Sequence, residues 1–471
     1  MSENPLDSDP LVLPKSSLLD QKLTFDQVVQ KLGINFYNIR IYFFMALFFM
    51  ADGSELVVLS LLINKFSDVW SLNTFQKGMF GSSIFIGCAL GSLCSGLISD
   101  RKGRRPAYLI GSTLVLVFAA CSSLAQNAFA FILLRIICGF GIGLSVPALF
   151  ALATELTPSA YRSAVLNFVW VFFPIGATFV ILLTKWFIEI DGGWRYIMLF
   201  ASFPCLIVLL FSYKVPESPR FLMSNGFYKQ GLENLEEIIK YVGAEEKIKI
   251  TEQDKENLIA EAEEYKLNQE KADFGMLFTP EYRKVTFLIC SIYFISSLNY
   301  YGATYILPQI FEEEADSAEG NVGDVYLSLI FTYFVEVPCC FLSAYLANNK
   351  YLLRVRTMML GLSVNALSVV LLIIFPGSVP FSAALFKCSI NISFCVIEIY
   401  ACEVYPTKIR SMGVGLGNSC TRVAAILTPF FSQLLFDCYK PLPFVLYFFG
   451  SIGGLFCCLN LPFETYNLGL K

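Results

Sequence analysis

Two acidic side chains lie within the first long apolar stretch of this 471-residue chain. Asp52 and Glu55 are three positions apart, so they share one face of a helix. Two carboxylates in apolar surroundings disfavour each other's charge, which suits one of them to carry a proton or to bind a cation. Because the sequence contains no histidine, a carboxylate would have to be the proton carrier. The alternative is a static pair that a buried Arg or Lys neutralises.

One basic side chain lies deep in another apolar stretch, close to the C-terminus. Arg422 follows Cys420 and Thr421, and a guanidinium in that setting requires an anionic partner that accepts two hydrogen bonds. The partner is either a carboxylate on a bound molecule or an internal acid, for which Asp52, Glu336 and Glu398 are candidates. The sequence leaves both possibilities open.

Aromatic side chains near these charges could form the walls of a site for an organic molecule. Aromatic residues make up 15% of the chain, so most of them serve packing or face lipid. With the charged residues above, they complete the candidate substrate-binding set, which is Arg422, Asp52, Glu55, Tyr300, Tyr301, Trp170 and Glu398. Glu55 and Asp52 are also the candidates for proton coupling.

The chain carries one short pattern twice. TELTPSAYRS at residues 154–163 and CEVYPTKIRS at residues 402–411 share Glu-x-x-Pro-x-x-x-Arg-Ser, at a constant separation of 248 positions. Such self-similarity indicates an internal duplication. In each copy the acid and the arginine are seven positions apart and can form charge-assisted bonds at the mouth of a pathway.

A charged loop lies two helices before the first copy. It reads GLISDRKGRR at residues 96–105, and the 248-residue shift places it on residues 344–353, where most of the charges are missing. Loop and repeat together give the candidate gating residues, which are Asp100, Arg101, Arg104, Arg105, Glu155, Arg162, Glu403 and Arg410. The alternative is that these charges only anchor helix ends at the membrane surface.

The elements that position these residues are membrane helices. The chain is 56% hydrophobic and 15% charged, has a mean hydropathy of +0.61, and contains twelve apolar stretches of membrane-spanning length. We place the stretches at residues 39–62, 80–98, 107–124, 128–152, 164–187, 194–213, 285–307, 325–346, 358–375, 381–402, 413–435 and 443–461. The prediction is an all-α membrane protein of twelve transmembrane helices in two six-helix halves.

The segments around these helices are polar. We predict an N-terminal segment (1–38), a first bundle (39–213), a charged connector (214–284), a second bundle (285–461) and a tail (462–471). The N-terminal segment lacks an apolar core behind a basic start, and Arg/Lys-rich loops fall on the side of the connector. Both termini are therefore expected in the cytosol.

Several motifs resemble those of known transporters. The loop at residues 96–105 resembles the signature of the major facilitator superfamily, and PESPR at 216–220 and LPFET at 461–465 resemble motifs of its sugar porter and organic ion branches. ADGSE at 51–55, LFTPEYR at 277–283 and NYYG at 299–302 look like the synaptic vesicle glycoprotein 2-related group. The resemblance implies that Asp100 and Arg104 belong to a cytosolic latch. The loop between the seventh and eighth predicted helices is too short for the large luminal domain of the vesicle glycoproteins.

The resulting functional expectation is a secondary transporter of a small organic anion or zwitterion, working by alternating access and possibly coupled to protons. The alternatives are a sugar or organic cation transporter of the same fold, or a receptor that binds without transport. No nucleophile–base pattern, ATP motif or metal spacing appears in the sequence, so we expect neither an enzyme nor a cofactor. The expected partners are a small-molecule substrate and the lipid bilayer, and no nucleic acid partner is expected. We expect a monomer in a vesicle membrane or in the plasma membrane.

Overall fold

The computed structural model describes residues 23–158, 161–211, 215, 217–244, 248, 250–270, 274–317, 322–375, 379–406, 409–462 and 464. Within these residues every regular element is helical, and twelve helical spans are long and apolar enough to cross a membrane. The predicted fold class is therefore confirmed. Two of the twelve spans are interrupted helices, which the sequence did not indicate.

The helices follow one another along the chain with short connections in each half. The first half contains α2 (Phe36–Trp70), α3 (Thr74–Lys102), α4 (Arg104–Ser122), α5 (Ala128–Leu156), α6 (Arg162–Phe187), and the broken span α7 (Gly193–Ala201) and α8 (Phe203–Phe211). The second half contains α12 (Arg283–Ser317), the broken span α13 (Val322–Phe334) and α14 (Glu336–Ala347), α15 (Leu353–Ile374), α16 (Val379–Val404), α17 (Arg410–Cys438) and α18 (Leu442–Leu459).

Polar side chains cap the N-termini of membrane helices at the edge of the hydrocarbon. The Asn73 side chain accepts a hydrogen bond from the backbone of Gln76 at the start of α3, and Asn127 accepts one from Ala130 at the start of α5. These caps satisfy amides that have no partner inside the helix. Within the spans the helix satisfies its own backbone groups, as a membrane interior without water requires.

The connector folds into a small helical unit outside the membrane spans. It contains α9 (Pro219–Ser224), α10 (Tyr228–Val242), α11 (Glu252–Glu270) and a 3-10 helix (Phe274–Phe278). The N-terminal helix α1 (Phe25–Leu32) packs Phe25, Val28 and Val29 into an apolar cluster with these helices. We call the end of the bundle that carries this unit the connector face, and the other end the opposite face.

The two halves are joined by hydrogen bonds that lie toward the opposite face. The Thr74 hydroxyl donates to Asp437 at 2.5 Å, and the Asn64 amide donates to Glu312 at 2.5 Å. Deeper in the bundle, the Tyr305 hydroxyl donates to the carbonyl of Lys77 at 2.9 Å. Helices of opposite halves are therefore held together at this end, which closes the opposite face.

Inside the first half, α3 and α5 approach so closely that only glycine fits between them. A Cβ atom on Gly139 would meet the backbone carbonyl of Ile84, and one on Gly143 would meet that of Cys88. The glycines at positions 139 and 143 therefore permit the close helix packing. This contact matters for function because α5 carries Arg135, one helical turn before Gly139.

We predict that Gly139→Ala destabilises the protein because the new methyl group collides with a backbone that cannot rotate away. Overpacking of this kind costs about 1–3 kcal/mol. Gly96→Ala is the matched control, since Gly96 lies on exposed α3 surface with open space around it, and alanine there favours the helix. Thermal unfolding in detergent should show a lower midpoint for Gly139→Ala only. Equal midpoints for the two variants would contradict the packing described above.

Candidate functional site

The centre of the bundle contains a guanidinium without an internal ion pair. Arg422 on α17 is half-buried, and no hydrogen bond or ion pair joins its side chain to another residue that the structure describes. Asp52 on α2 and Glu398 on α16 lie near enough to act on it electrostatically, and so does Tyr301 on α12. Of the two sequence-based possibilities, the internal ion pair is therefore not formed in this structure. Arg422 is available to an external anion.

The two acids around Arg422 come from different halves of the chain. Asp52 is 7% exposed, and its Oδ1 atom has no hydrogen-bond partner among the described residues. Glu398 is half-buried and lies beside the hydroxyl of Tyr293. A buried polar atom without a partner is costly, and in a binding protein it marks a place where a ligand can supply the missing bond.

Glu55 has a different environment from Asp52, although the two are three residues apart. Its carboxylate forms a 2.5 Å ion pair with Arg135 of α5, and neither side chain has exposed surface. The two residues are 80 positions apart in the sequence. Glu55 is therefore paired with a basic side chain, whereas the Oδ1 atom of Asp52 has no partner among the described residues.

A second fully buried ion pair lies in the other half. Lys387 on α16 is 3.0 Å from Glu336 on α14 and 2.7 Å from the hydroxyl of Thr304. The Tyr300 hydroxyl donates to Glu336 at 2.9 Å, and the Lys387 ammonium lies 3.7 Å from the centre of the Tyr300 ring. The Lys387 side chain therefore lies inside the bundle and does not extend to the membrane surface. The pair also removes Glu336 as a partner for Arg422.

The candidate aromatic residues line the boundary between the halves. The ring of Tyr301 lies 4.8 Å from that of Phe85 on α3, and the ring of Tyr300 lies 6.3 Å from that of Phe173 on α6. Trp170 lies one helical turn from Phe173, 6.4 Å between ring centres. Side chains predicted from separate segments are thus assembled into one aromatic wall, of which Tyr301 lies near Asp52 and Arg422.

A cage of charges clamps the connector-face ends of three helices in the first half. Arg104 donates to the carbonyl of Ser99 at 2.8 Å and pairs with Glu155 at 3.5 Å. The Glu217 carboxylate accepts from the backbone amides of Arg104 at 3.0 Å and Arg105 at 3.2 Å, at the N-terminus of α4. An acid at a helix N-terminus satisfies unpaired amides and complements the helix dipole.

The motif glycine allows this carboxylate to approach. Gly103 has φ +112°, and a Cβ atom there would collide with Glu217. Burial raises the pKa of Glu217, and the hydrogen bonds from the Ser218, Arg105 and Arg104 amides oppose that rise. Burial therefore outweighs the bonds for the charged form, and a neutral acceptor at position 217 would retain much of the cage.

An equivalent cage in the second half depends on Arg354, a residue that the sequence analysis missed. Arg354 donates to the Ala347 carbonyl and pairs with Glu403 at 2.9 Å, while its own amide donates to Glu464 at 2.7 Å. The 248-residue shift aligns Arg104 with Leu352 and therefore does not reveal Arg354. Arg104 and Arg354 are 250 positions apart and not 248, so a gap of two residues in the repeat alignment would have found the match.

The remaining predicted gating residues are arranged differently from the prediction. Glu155 pairs with Arg104 and not with Arg162, which pairs with Asp26 of α1 at 3.1 Å and donates to the Thr154 carbonyl at 3.0 Å. Arg410 donates to the carbonyl of Tyr405 at 3.3 Å. Arg101 is exposed. The side chain of Asp100 lies outside the part of the chain that the structure describes.

Comparisons with known proteins agree with this arrangement. A family profile described as "Sugar (and other) transporter" matches residues 35–471. The synaptic vesicle 2-related protein of Rattus norvegicus is 27% identical over 98% of this chain and 85% of its own length. The organic cation/carnitine transporter 7 of Arabidopsis thaliana is 26% identical over 94% of this chain and 95% of its own length.

The fold has a close match among solved structures. The inward-open xylose transporter XylE from E. coli has a TM-score of 0.72 at 19% identity, covering 92% of this chain and 98% of its own. The resemblance to the major facilitator superfamily and to the synaptic vesicle 2-related group is therefore confirmed. With its twelve spans, paired halves and a profile match over nearly its whole length, the chain belongs to the sugar (and other) transporter family of the major facilitator superfamily.

Proposed function

We propose that this membrane transporter carries a small zwitterionic organic solute by alternating access. The observation that carries the proposal is the half-buried Arg422 guanidinium, which has no ion pair within the described chain and lies near two acids, Asp52 and Glu398. A carboxylate on the solute would bind Arg422 in a bidentate manner. A cationic group on the same solute would lie toward the acids.

The charges around the site favour a zwitterion over a simple anion. Glu55 is neutralised by Arg135, and Glu336 by Lys387, so Arg422, Asp52 and Glu398 are the charges left for a ligand. With both acids ionised, these three sum to −1, and a monoanion would increase the excess. A solute with one carboxylate and one ammonium group adds no net charge, with its carboxylate on Arg422 and its ammonium group shared by the two acids.

The aromatic wall supports the same class of solute. Tyr301 lies near both acids and its ring packs on that of Phe85, and aromatic faces attract alkylated ammonium groups. The Arabidopsis relative is named a transporter of organic cations and carnitine, and carnitine is a zwitterion with a quaternary ammonium group. The carnitine in that relative's name carries the same two charges as the proposed solute.

A sugar is the weaker alternative. Asn299 is the polar seventh-helix side chain suited to bind hydroxyl groups, but it is fully buried and donates to Ser451, Asn365 and the Tyr447 carbonyl. Those bonds stay within the second half and use both of its amide hydrogens. XylE carries xylose by its name, but its similarity to this chain concerns the fold.

We further propose that Glu55 couples transport to protons. Protonation of Glu55 would leave Arg135 charged and without its partner in a site that has no access to water. An uncompensated buried charge is strongly unfavourable, so the proton would shift the balance between conformations of the bundle. Asp52 would then contact the solute and Glu55 would bind the proton.

The cages and the inter-half bonds fit a rocking motion. Each cage clamps helix ends within one half, through Arg104 in the first and Arg354 in the second, so each half moves as a rigid body. Bonds such as Thr74 to Asp437 would break when the opposite face opens. From the positive-inside bias we propose that the connector face lies in the cytosol. The proposed membrane is that of a vesicle or of the cell surface.

We predict that Arg422→Ala lowers uptake of a zwitterion about tenfold to a hundredfold, because a hydrogen bond to a charged group contributes about 1.5–3 kcal/mol. Arg422→Lys should retain part of the activity, since it keeps the charge but loses the bidentate geometry. The measurement is uptake by liposomes of carnitine, a monocarboxylate, tetraethylammonium and a hexose.

Glu398→Gln tests the other end of the solute. It should weaken uptake of carnitine and leave any monocarboxylate uptake unchanged. Hexose uptake that survives Arg422→Ala would overturn the zwitterion proposal. Tight binding of carnitine without flux would replace the transporter by a receptor.

We predict that Glu55→Gln separates exchange from accumulation. With the titratable group removed, carnitine should still exchange across the liposome membrane, but an inward proton gradient should no longer drive its accumulation. Glu55→Gln leaves Arg135 buried without a partner, so Glu55→Gln/Arg135→Gln is the variant that controls for loss of folding. Accumulation that still responds to the gradient in both variants would eliminate Glu55 as the proton site.

We predict that Arg354→Leu lowers the stability of the second half. Removing the guanidinium leaves Glu403 and the Ala347 carbonyl without their partner, at a cost of about 1–3 kcal/mol for a partly exposed group. Arg356→Leu is the matched control, because Arg356 is exposed and bonds only to a nearby carbonyl. Thermal unfolding should show a lower midpoint for Arg354→Leu and for Arg104→Leu. An unchanged midpoint for Arg354→Leu would show that the second cage is not needed.

A further inference from the structure

A groove runs along the outside of the second half, away from the central site. Its wider part has a volume of about 730 Å³ and lies between α12, α17 and the 3-10 helix of the connector, with Phe278, Thr286, Phe287 and Leu416 among its walls. A narrower part of about 350 Å³ continues along α12 past Phe294 and Ile295. The two parts share Phe287 and Cys290, so they form one channel.

Two basic side chains stand at the connector-face end of this groove. Arg283 and Lys284 are exposed, line the wider part, and form no ion pair or hydrogen bond through their side chains with any described residue. The neighbouring acid, Glu281, interacts with the Tyr282 hydroxyl. The groove therefore has a positive entrance and an apolar interior, which complement the anionic headgroup and the acyl chains of an anionic phospholipid.

The position and length of the groove match one leaflet of a bilayer. The membrane span of α12 begins at Arg283, which places the basic pair at the level of the headgroups. From Arg283 to Ile295 the helix rises about 18 Å, and one leaflet supplies roughly half of a ~30 Å hydrocarbon core. An acyl chain entering beside Phe287 could therefore lie in the groove over its whole depth.

The connector provides further contacts at the same level. Phe274, Met276 and Phe278 of the 3-10 helix are exposed beside the entrance, although each is a large apolar side chain. Such residues are stable where a surface meets the interfacial region of a membrane. We propose that this groove is a lateral binding site for an anionic phospholipid of the leaflet on the connector face.

The site is separate from the solute site but shares its helices. The walls come from α12, which carries Tyr301, and from α17, which carries Arg422. The two helices pack against each other within the second half, where the Ser297 hydroxyl donates to the Thr421 carbonyl at 2.9 Å. A bound lipid would therefore contact the elements that position the substrate-binding charges.

The experiment measures lipids retained by the full-length protein, using native mass spectrometry after equilibration with dioleoylphosphatidylglycerol or dioleoylphosphatidylcholine. The wild-type protein should retain the anionic lipid in preference to the zwitterionic one. Arg283→Gln/Lys284→Gln should reduce retention of phosphatidylglycerol on the order of twentyfold, since each basic residue near an anionic surface contributes about fivefold. Lys350→Gln/Arg356→Gln removes the same charge from the start of α15 and should have no effect.

A second variant tests the apolar part of the site without changing its charge. Leu416→Trp fills the wider part of the groove and should reduce retention of both lipids, with an unchanged thermal midpoint as evidence of folding. Retention of phosphatidylglycerol by Arg283→Gln/Lys284→Gln at the wild-type level would overturn the proposal. Displacement of the lipid by soluble glycerol 3-phosphate would also overturn it, because it would show a site for the anion alone.

Discussion

The structure depends on one constraint, which is that a charge inside the bundle must have a partner. Glu55 with Arg135 and Glu336 with Lys387 meet that requirement in the two halves, and none of the four side chains has exposed surface. They are shielded from solvent, so an unpaired ion would be far more costly there than at a soluble protein's surface. Arg422 departs from this pattern, and for that reason the functional proposal is built around it.

The two halves meet a second requirement in the same way with different residues. In each half one arginine bonds to a carbonyl at the end of the preceding helix, to a glutamate at the end of the following helix and, through its own amide, to a more distant glutamate. The surrounding sequence has diverged, and Gly103 in the first turn is replaced by a leucine with φ +61° in the second. The cage is retained because helix N-termini at a membrane surface need acceptors for their amides.

Duplicated and unduplicated features therefore have different roles. The cages occur in both halves and stabilise the bundles. Asp52 and Arg422 have no charged counterpart at the equivalent position of the other half. They lie near each other, without an ion pair, at the boundary where a solute would bind. The lipid groove is likewise a property of one half, because the 3-10 helix that forms part of its wall belongs to the connector before α12. Asymmetry added to a symmetric scaffold is where specificity for a ligand can arise.

The sequence by itself determined the class of protein, the twelve spans and the two halves, and it identified Asp52, Glu55 and Arg422 as candidate site residues, because hydrophobic length and charge within apolar segments are local properties. Only the tertiary structure decided which charges are paired. Arg135 joins Glu55 across 80 positions, and Arg354 joins Glu403 across 49. Which of two nearby acids faces a cavity depends on helix rotation and crossing, which many side chains set together. The sequence could therefore name the charges of the site, and the packing of the helices decided which of them remain for a ligand.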